Sequence, residues 1–276
     1  MVQSRQMNIS HKNNLSGYIG SWIVMMNQIK KTQPPVRIPQ EAISYNDNMY
    51  DLSLMLSYLD NNLTILEETP LTPEKFDGLA YAQARAFMKV CYLFLRIILD
   101  NVSGIIKYFY DTNEHPTIIP KSFNKLLKDA DNYKLPKELT AIIQSSKTWF
   151  RQMRERRGDL EHEYESLLIS FRQGENGKNI LGHFSTKGHT TREYEDIRQY
   201  FGFVLCEFQK LIDNLLDHFD FKFRNWYGIA PYRNITIFER IVDMPLWWAY
   251  KYGNYRHKDL QVIENKNEEG KTENKN

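Results

Sequence analysis

The chain has 276 residues, 42% of them hydrophobic and 13% aromatic, and a formal net charge of +2. That apolar share is enough for a sizeable core and excludes global disorder, while the small net charge excludes a whole-molecule electrostatic grip on nucleic acid. The two cysteines, Cys91 and Cys206, lie inside apolar helical patterns with no CxxC spacing, so they read as small buried hydrophobes rather than a disulfide framework or a zinc set.

Residues 1–14 are polar, and Leu15 to Lys31 fits a first helix closed by Pro34 and Pro35. The apolar stretch from Gly17 to Ile29 follows a polar dozen, which is not the basic-then-apolar order of a signal peptide. The spacing predicts a second helix from Gln40 to Glu68, with Leu52, Met55, Leu56, Leu59, Leu63 and Leu66 at three- and four-residue steps, stopping before Pro70.

Thr72-Pro73-Glu74 is a helix-start signal, and Phe76, Leu79, Gln83, Phe87, Cys91, Phe94, Ile98, Val102, Ile105 and Phe109 continue at helical spacing to about Asp111. The opposite face is expected to carry Tyr81, Arg85, Lys89, Tyr92, Arg96 and Lys107, a basic stripe interleaved with tyrosines or an ordinary solvated face. The most apolar part, Val90 to Ile106, contains Arg96, Asp100 and Asn101 and is shorter than the ~20 residues of a membrane span. No membrane partner and a reducing cytoplasm are expected.

A short helix from Lys121 to Asp131 follows Pro116 and Pro120. After Pro136 comes a helix with Leu139, Ile142, Ile143, Trp149, Phe150 and Met153 on one face, running into Arg154-Glu155-Arg156-Arg157-Gly158. The apolar runs 167–171 and 179–184 flank Gly174-Glu175-Asn176-Gly177 and predict a β-hairpin from Leu167 to Phe184, because Asn-Gly supplies the positive φ of a tight turn. Thr190-Thr191-Arg192-Glu193 reads as a capping box that opens a long helix with Tyr194, Ile197, Phe201, Val204, Phe208, Leu211, Leu215 and Phe219 inward. A last helix is expected over Ile235 to Tyr252, and a disordered tail over 258–276.

The candidate chemistry sits at Arg157-Gly158-Asp159-Leu160-Glu161-His162-Glu163-Tyr164. Arg156 and Arg157 take the next inward positions after Trp149, Phe150 and Met153, where a guanidinium wants an anion or an acidic partner. In an unbroken helix His162 would lie ~140° around the axis from Arg157, so the two share a site only if the helix ends or bends near Gly158 or a second subunit completes it. A competing reading pairs Arg157 with Asp159 or Glu161 and makes His162 a helix-end histidine. His183 and His189, six apart at the hairpin end, have no cluster of further ligands beside them, so no metal and no other cofactor is expected.

Arg157, His162 and Tyr164 resemble the Arg-x4-His-x-Tyr motif of a toxin subgroup of HEPN domains, with a helix before it, an irregular segment after it and a long helix beyond. Gly158 departs from the Asn or Asp that often follows the family's Arg. The resemblance implies an all-α, HEPN-like helical bundle with long helices and a β-hairpin insertion after the motif. On it the chain divides into an N-terminal extension (1–71), a core (72–220), a C-terminal helical extension (221–257) and a tail (258–276). It further implies a metal-independent ribonuclease of a toxin or phage-defence system, with Arg157, His162, Tyr164, Asp159 and Arg156 at the site. RNA as substrate, a homodimer and a nucleotidyltransferase-type antitoxin are the implied partners. The alternative is a non-catalytic helical module that binds RNA or a protein.

Overall fold

The structure is a computed structural model that describes residues 40–70, 72, 75–110, 119–162, 168–174, 177–184, 195–227, 235–238, 244–256 and 260–263. For 156–162, 168, 172–173, 183–184, 195, 220–227, 235–238 and 260–263 only the backbone is described. The expected first helix at 15–31 and the capping box at 190–193 lie outside the described residues.

Helix α1 spans Gln40–Glu68, the range its apolar spacing predicts. Leu52, Leu56, Leu59, Leu63 and Leu66 are buried. Its end is set by Pro70, which has no N–H to offer the carbonyl of Leu66 four residues back. Asn179 fills that gap from the hairpin: its side-chain amide donates to Leu66 O and to Thr69 O, each at 2.9 Å.

Helix α2 spans Gly78–Tyr110, later than Thr72-Pro73 suggests. Thr72 instead closes a single turn, its carbonyl accepting from Lys75 N and Phe76 N. The N-cap is Asp77, whose Oδ1 accepts from Ala80 N at 2.8 Å. The inward face is also rotated in the first half of the helix: Ala80, Ala84, Met88, Tyr92 and Leu95 are buried, while Phe76 and Leu79 are exposed. Large side chains at three- and four-residue steps do not identify the core face here, because the small Ala80 and Ala84 take buried positions in it. Of the expected basic stripe, Tyr81, Arg85, Lys89, Arg96 and Lys107 stay out of the core. Tyr92 is in the core, Arg96 is engaged with Asp100 at 3.5 Å, and Arg85 lies over the Tyr81 ring.

At the far end of α2, Gly104 lets the start of α1 press in. A Cβ there would overlap the Glu41 side chain, which Lys121 holds from the other side at 2.9 Å. Helix α3 (Phe123–Lys128) is tied to α2 by Phe123 N donating to Asp100 Oδ1 at 2.8 Å, and a 3-10 turn (Ala130–Tyr133) follows. The helix expected after Pro136 is two helices, α4 (Lys137–Ser145) and α5 (Lys147–His162). At the joint, the buried Ser146 hydroxyl donates to Ile143 O at 2.6 Å, a local bond that competes with the helical ladder.

The hairpin is present as β1 (Leu168–Gln173) and β2 (Asn179–Phe184), antiparallel from Leu168↔Phe184 to Gln173↔Asn179. Gly177 supplies the positive φ (+78°). A third short strand, β3 (Glu195–Asp196), extends this sheet on the β2 side. It displaces the start of α6 to Ile197, where Asp196 Oδ1 accepts from Gln199 N at 3.0 Å, the N-cap bond. The α6 helix (Ile197–Tyr227) buries Ile197, Phe201, Val204, Phe208, Leu211, Leu215 and Phe219, as its spacing predicts.

The last part departs most from expectation. Ile235–Phe238 is a strand, β4, not the start of a helix, and it pairs in parallel with β5 (Leu260–Ile263), which lies in the segment read as a tail. Both are short β-branched runs, which suit a pleated ladder better than a helix. Among the described residues there, only α7 (Met244–Lys251) is helical. The turn that follows it meets α6 backbone to backbone, since a Cβ on Gly202 would stand 2.8 Å from Gly253 N. Buried residues of α1, α2, α6 and α7 form one core, so α1 and α7, read as extensions, are structural members of it. The architecture is mostly helical with a small antiparallel sheet, and no helix among the described residues is long and apolar enough to cross a membrane.

Candidate functional site

Helix α5 carries the motif, and its first half is firmly placed. Trp149, Phe150 and Met153 are buried, and the Phe150 ring meets Phe123 edge-on at 5.3 Å. Arg151 pairs with Glu155 at 2.8 Å one turn on, and Arg154 donates to Asn124 Oδ1 at 3.0 Å, tying α5 to α3.

From Arg156 onward the backbone stays helical through Gly158 to His162. The helix therefore does not end at Gly158, one of the two ways in which Arg157 and His162 could share a site. A glycine inside a helix costs about 1 kcal/mol relative to alanine, which the flanking turns can outweigh. The consequence is geometric. Along one helix Arg157 and His162 are ~140° apart around the axis, so the backbone does not bring them to one side. It does place Arg156, Asp159 and His162 at successive three-residue steps along one flank, and Arg157 four residues before Glu161. Tyr164 lies outside the described residues, as do the side chains of the other four candidates.

A second cluster was not anticipated from the sequence. His218, on the inner face of α6, is buried; its Nε2 is 2.7 Å from the Tyr110 hydroxyl at the end of α2. Its Nδ1 faces Glu138 Oε2 of α4 at 3.8 Å, beyond hydrogen-bond reach and within range of an ion pair if the ring is protonated. Burial, aided by the Glu138 charge, pushes the Tyr110 hydroxyl well above its ordinary range, so the phenol stays protonated. The rings of Tyr110, His218 and Phe219 pack together. The three groups stand in a row from the core to solvent, where Glu138 is 83% exposed. The available signal was His218 standing three residues after Leu215 on the apolar face of α6.

A third polar cluster is structural. Arg198 at the start of α6 donates to Asp60 Oδ1 (2.7 Å), Asp60 O (3.1 Å), Thr64 Oγ1 (2.9 Å) and Glu67, all on α1. With its donors so taken, it has little left for a substrate. Burial holds the Glu67 carboxyl above its ordinary range, more than Arg198 pulls it down. Tyr252 beside this cluster is pushed up to about 12 by burial and by the Asp60 charge.

Among the described residues no group of three or more His, Cys, Asp or Glu is arranged to hold a metal ion. Cys91 and Cys206 are free and buried, and burial raises both thiols, which leaves them poor nucleophiles. No protein-family model, curated protein or solved structure matches the chain.

Proposed function

We propose that this chain is a metal-independent endoribonuclease of the HEPN type, acting in a toxin or phage-defence setting. The observation that carries the reading is α5: a helix anchored in a helical core, ending on Arg157-x4-His162 directly before the hairpin and the long α6. The residue types suit the reaction. RNA supplies its own nucleophile, the ribose 2′-hydroxyl. His162 takes the proton from that hydroxyl as the 2′-oxygen attacks phosphorus, or returns one to the 5′-oxygen as the P–O5′ bond breaks. The planar Arg157 guanidinium grips two phosphate oxygens as negative charge builds on them. Arg156, Asp159 and Tyr164 support these groups. Because one straight helix sets Arg157 and His162 apart, the reading takes both from a homodimer in which two copies of the motif face one cleft. A nucleotidyltransferase-type antitoxin would act on Tyr164.

The test is RNA cleavage by the purified chain. His162→Ala should lose ~10²–10⁴-fold in rate with the circular dichroism unchanged. Arg157→Lys should also be damaging, because a point charge cannot copy a bidentate fork. Chelator should leave the rate unchanged, and the products should end in 2′,3′-cyclic phosphate. Cleavage that survives His162→Ala would overturn the site.

The second reading is a non-catalytic helical module that binds RNA or a protein. The continuity of α5 through Gly158 favours it, since a single copy then lacks the convergence that catalysis needs. RNA binding without cleavage by wild type would put this reading first.

A further inference from the structure

The small net charge hides a sorting of charge between neighbouring helices. Helix α1 carries six acidic residues and no basic one. Helices α2, α3 and α5 together carry eleven Lys and Arg against four Asp and Glu, in a chain whose formal net charge is only +2. These three basic helices are joined to one another: Phe123 N of α3 donates to Asp100 of α2, and Arg154 of α5 donates to Asn124 of α3.

Much of the excess stands in one row. On α5, Lys147, Arg151 and Arg154 recur at four- and three-residue steps, within about 60° around the axis and on the side away from the buried Trp149 and Met153. All three are exposed, and so are Lys125 and Lys128 on the neighbouring α3. Glu155 answers Arg151, but Arg154 bonds the neutral Asn124 amide, and Lys125, Lys128 and Lys147 pair with no carboxylate among the described residues. These charges hold nothing in the fold together. Along the backbone the row runs on through Gly158 to His162. Gly158 brings no side chain into it, so a ligand lying on the row can come close to the helix there.

A row of cations suits any polyanion, and a second observation narrows the choice. After His162 the next described element is β1, whose Phe171 stacks on Tyr81 at 6.1 Å and meets Phe76 edge-on at 5.9 Å, with the Arg85 guanidinium over the Tyr81 ring. Phe76 is 39% exposed. The polyanion whose every unit also carries a flat ring is a single-stranded nucleic acid, and its bases stack on exposed aromatic side chains beside cations. In a duplex those rings are already stacked on one another.

We infer that a single strand of RNA binds across this face, its phosphates on Lys125, Lys128 and Lys147, its path along the outer row of α5 to His162, and an unpaired base on Phe76 beyond. The choice of RNA over DNA rests on the ribonuclease reading; the track itself is tested by binding.

The experiment is fluorescence anisotropy with labelled polyuridine on the full chain carrying His162→Ala, so that the strand stays uncut. K125Q/K128Q/K147Q should weaken binding by about ten-fold or more in Kd and flatten the log–log salt dependence by about two, ~0.7 for each lost phosphate contact, with the circular dichroism unchanged. Phe76→Ala should weaken polyuridine binding by about five-fold or more and leave the binding of inorganic polyphosphate as it was. Double-stranded RNA bound as tightly as polyuridine, or polyuridine binding indifferent to Phe76→Ala, would overturn the single strand as ligand. Polyuridine binding indifferent to the triple substitution would overturn the track, and the ribonuclease reading would stand without it if wild type still cleaves RNA. The opposite result, polyuridine bound through the three lysines and never cut by wild type, would support the track and sink the ribonuclease reading.

Discussion

Helix α6 buries the cationic side chain of Arg198 at its start and the ring of His218 two-thirds of the way along, and the two are treated differently. Arg198 is surrounded: two carboxylates, a hydroxyl and a carbonyl of α1 take its N–H groups. His218 bonds the Tyr110 hydroxyl at 2.7 Å and faces a carboxylate at 3.8 Å that is largely in solvent. An arginine with its fork occupied holds two helices in one geometry, and its charge never changes. The His218 ring instead packs against Phe219 while it bonds the Tyr110 hydroxyl and faces Glu138. The comparison separates a charged clamp from a packed polar ring, although both residues look alike in the sequence as polar residues on an apolar helix.

The comparison can be broken by mutation. Arg198→Ala should destabilise the fold most, by about 3 kcal/mol in urea denaturation, because it strands partly buried Asp60 and Glu67 without their counter-charge. A loss below about 1 kcal/mol would mean that the clamp is ornamental. His218→Phe should cost less, about 1 kcal/mol, since it removes one hydrogen bond while keeping the aromatic packing against Phe219. If His218→Phe costs more than Arg198→Ala, the assignment of roles is reversed.

The smallest effect concerns pH. The Glu67 carboxyl is raised from its ordinary 4.5 by burial, against the pull of Arg198. The native state therefore holds this proton more tightly than the unfolded chain. The stabilisation is fully present below pH 4.5 and is lost as pH rises through the higher folded value. Glu41 has the opposite sign. Its carboxyl is lowered, first by the hydrogen bond from Lys121, so its contribution is present above 4.5 and fades as pH falls. Glu67→Gln should therefore flatten the stability profile on the alkaline side of 4.5, and Glu41→Gln on the acid side. Stability measured across pH 3–7 checks both, and identical profiles for the two variants would contradict the signs.

Sequence alone determined what nearest-neighbour chemistry controls. The limits of α1 follow from its leucine spacing and Pro70; the hairpin follows from two apolar runs about a glycine that needs positive φ; the inward face of α6 follows from a run of large apolar side chains at helical steps. The candidate motif was legible only as letters, and the continuity of α5 through Gly158 was not, because whether a glycine ends a helix depends on what packs around it. Tertiary structure alone decided the rest. Tyr92 moved from an expected surface to the core because its ring packs against Tyr200 and Phe201 of α6. Ile235–Phe238 became a strand because a second run, some twenty residues on, was there to pair with it. His218 met Tyr110 and Glu138, and Arg198 met Asp60 and Glu67, across separations at which local sequence carries no signal. Periodicity and turn chemistry act over a few residues and survive in the one-dimensional record. A partner for a buried polar group exists only after distant helices have packed.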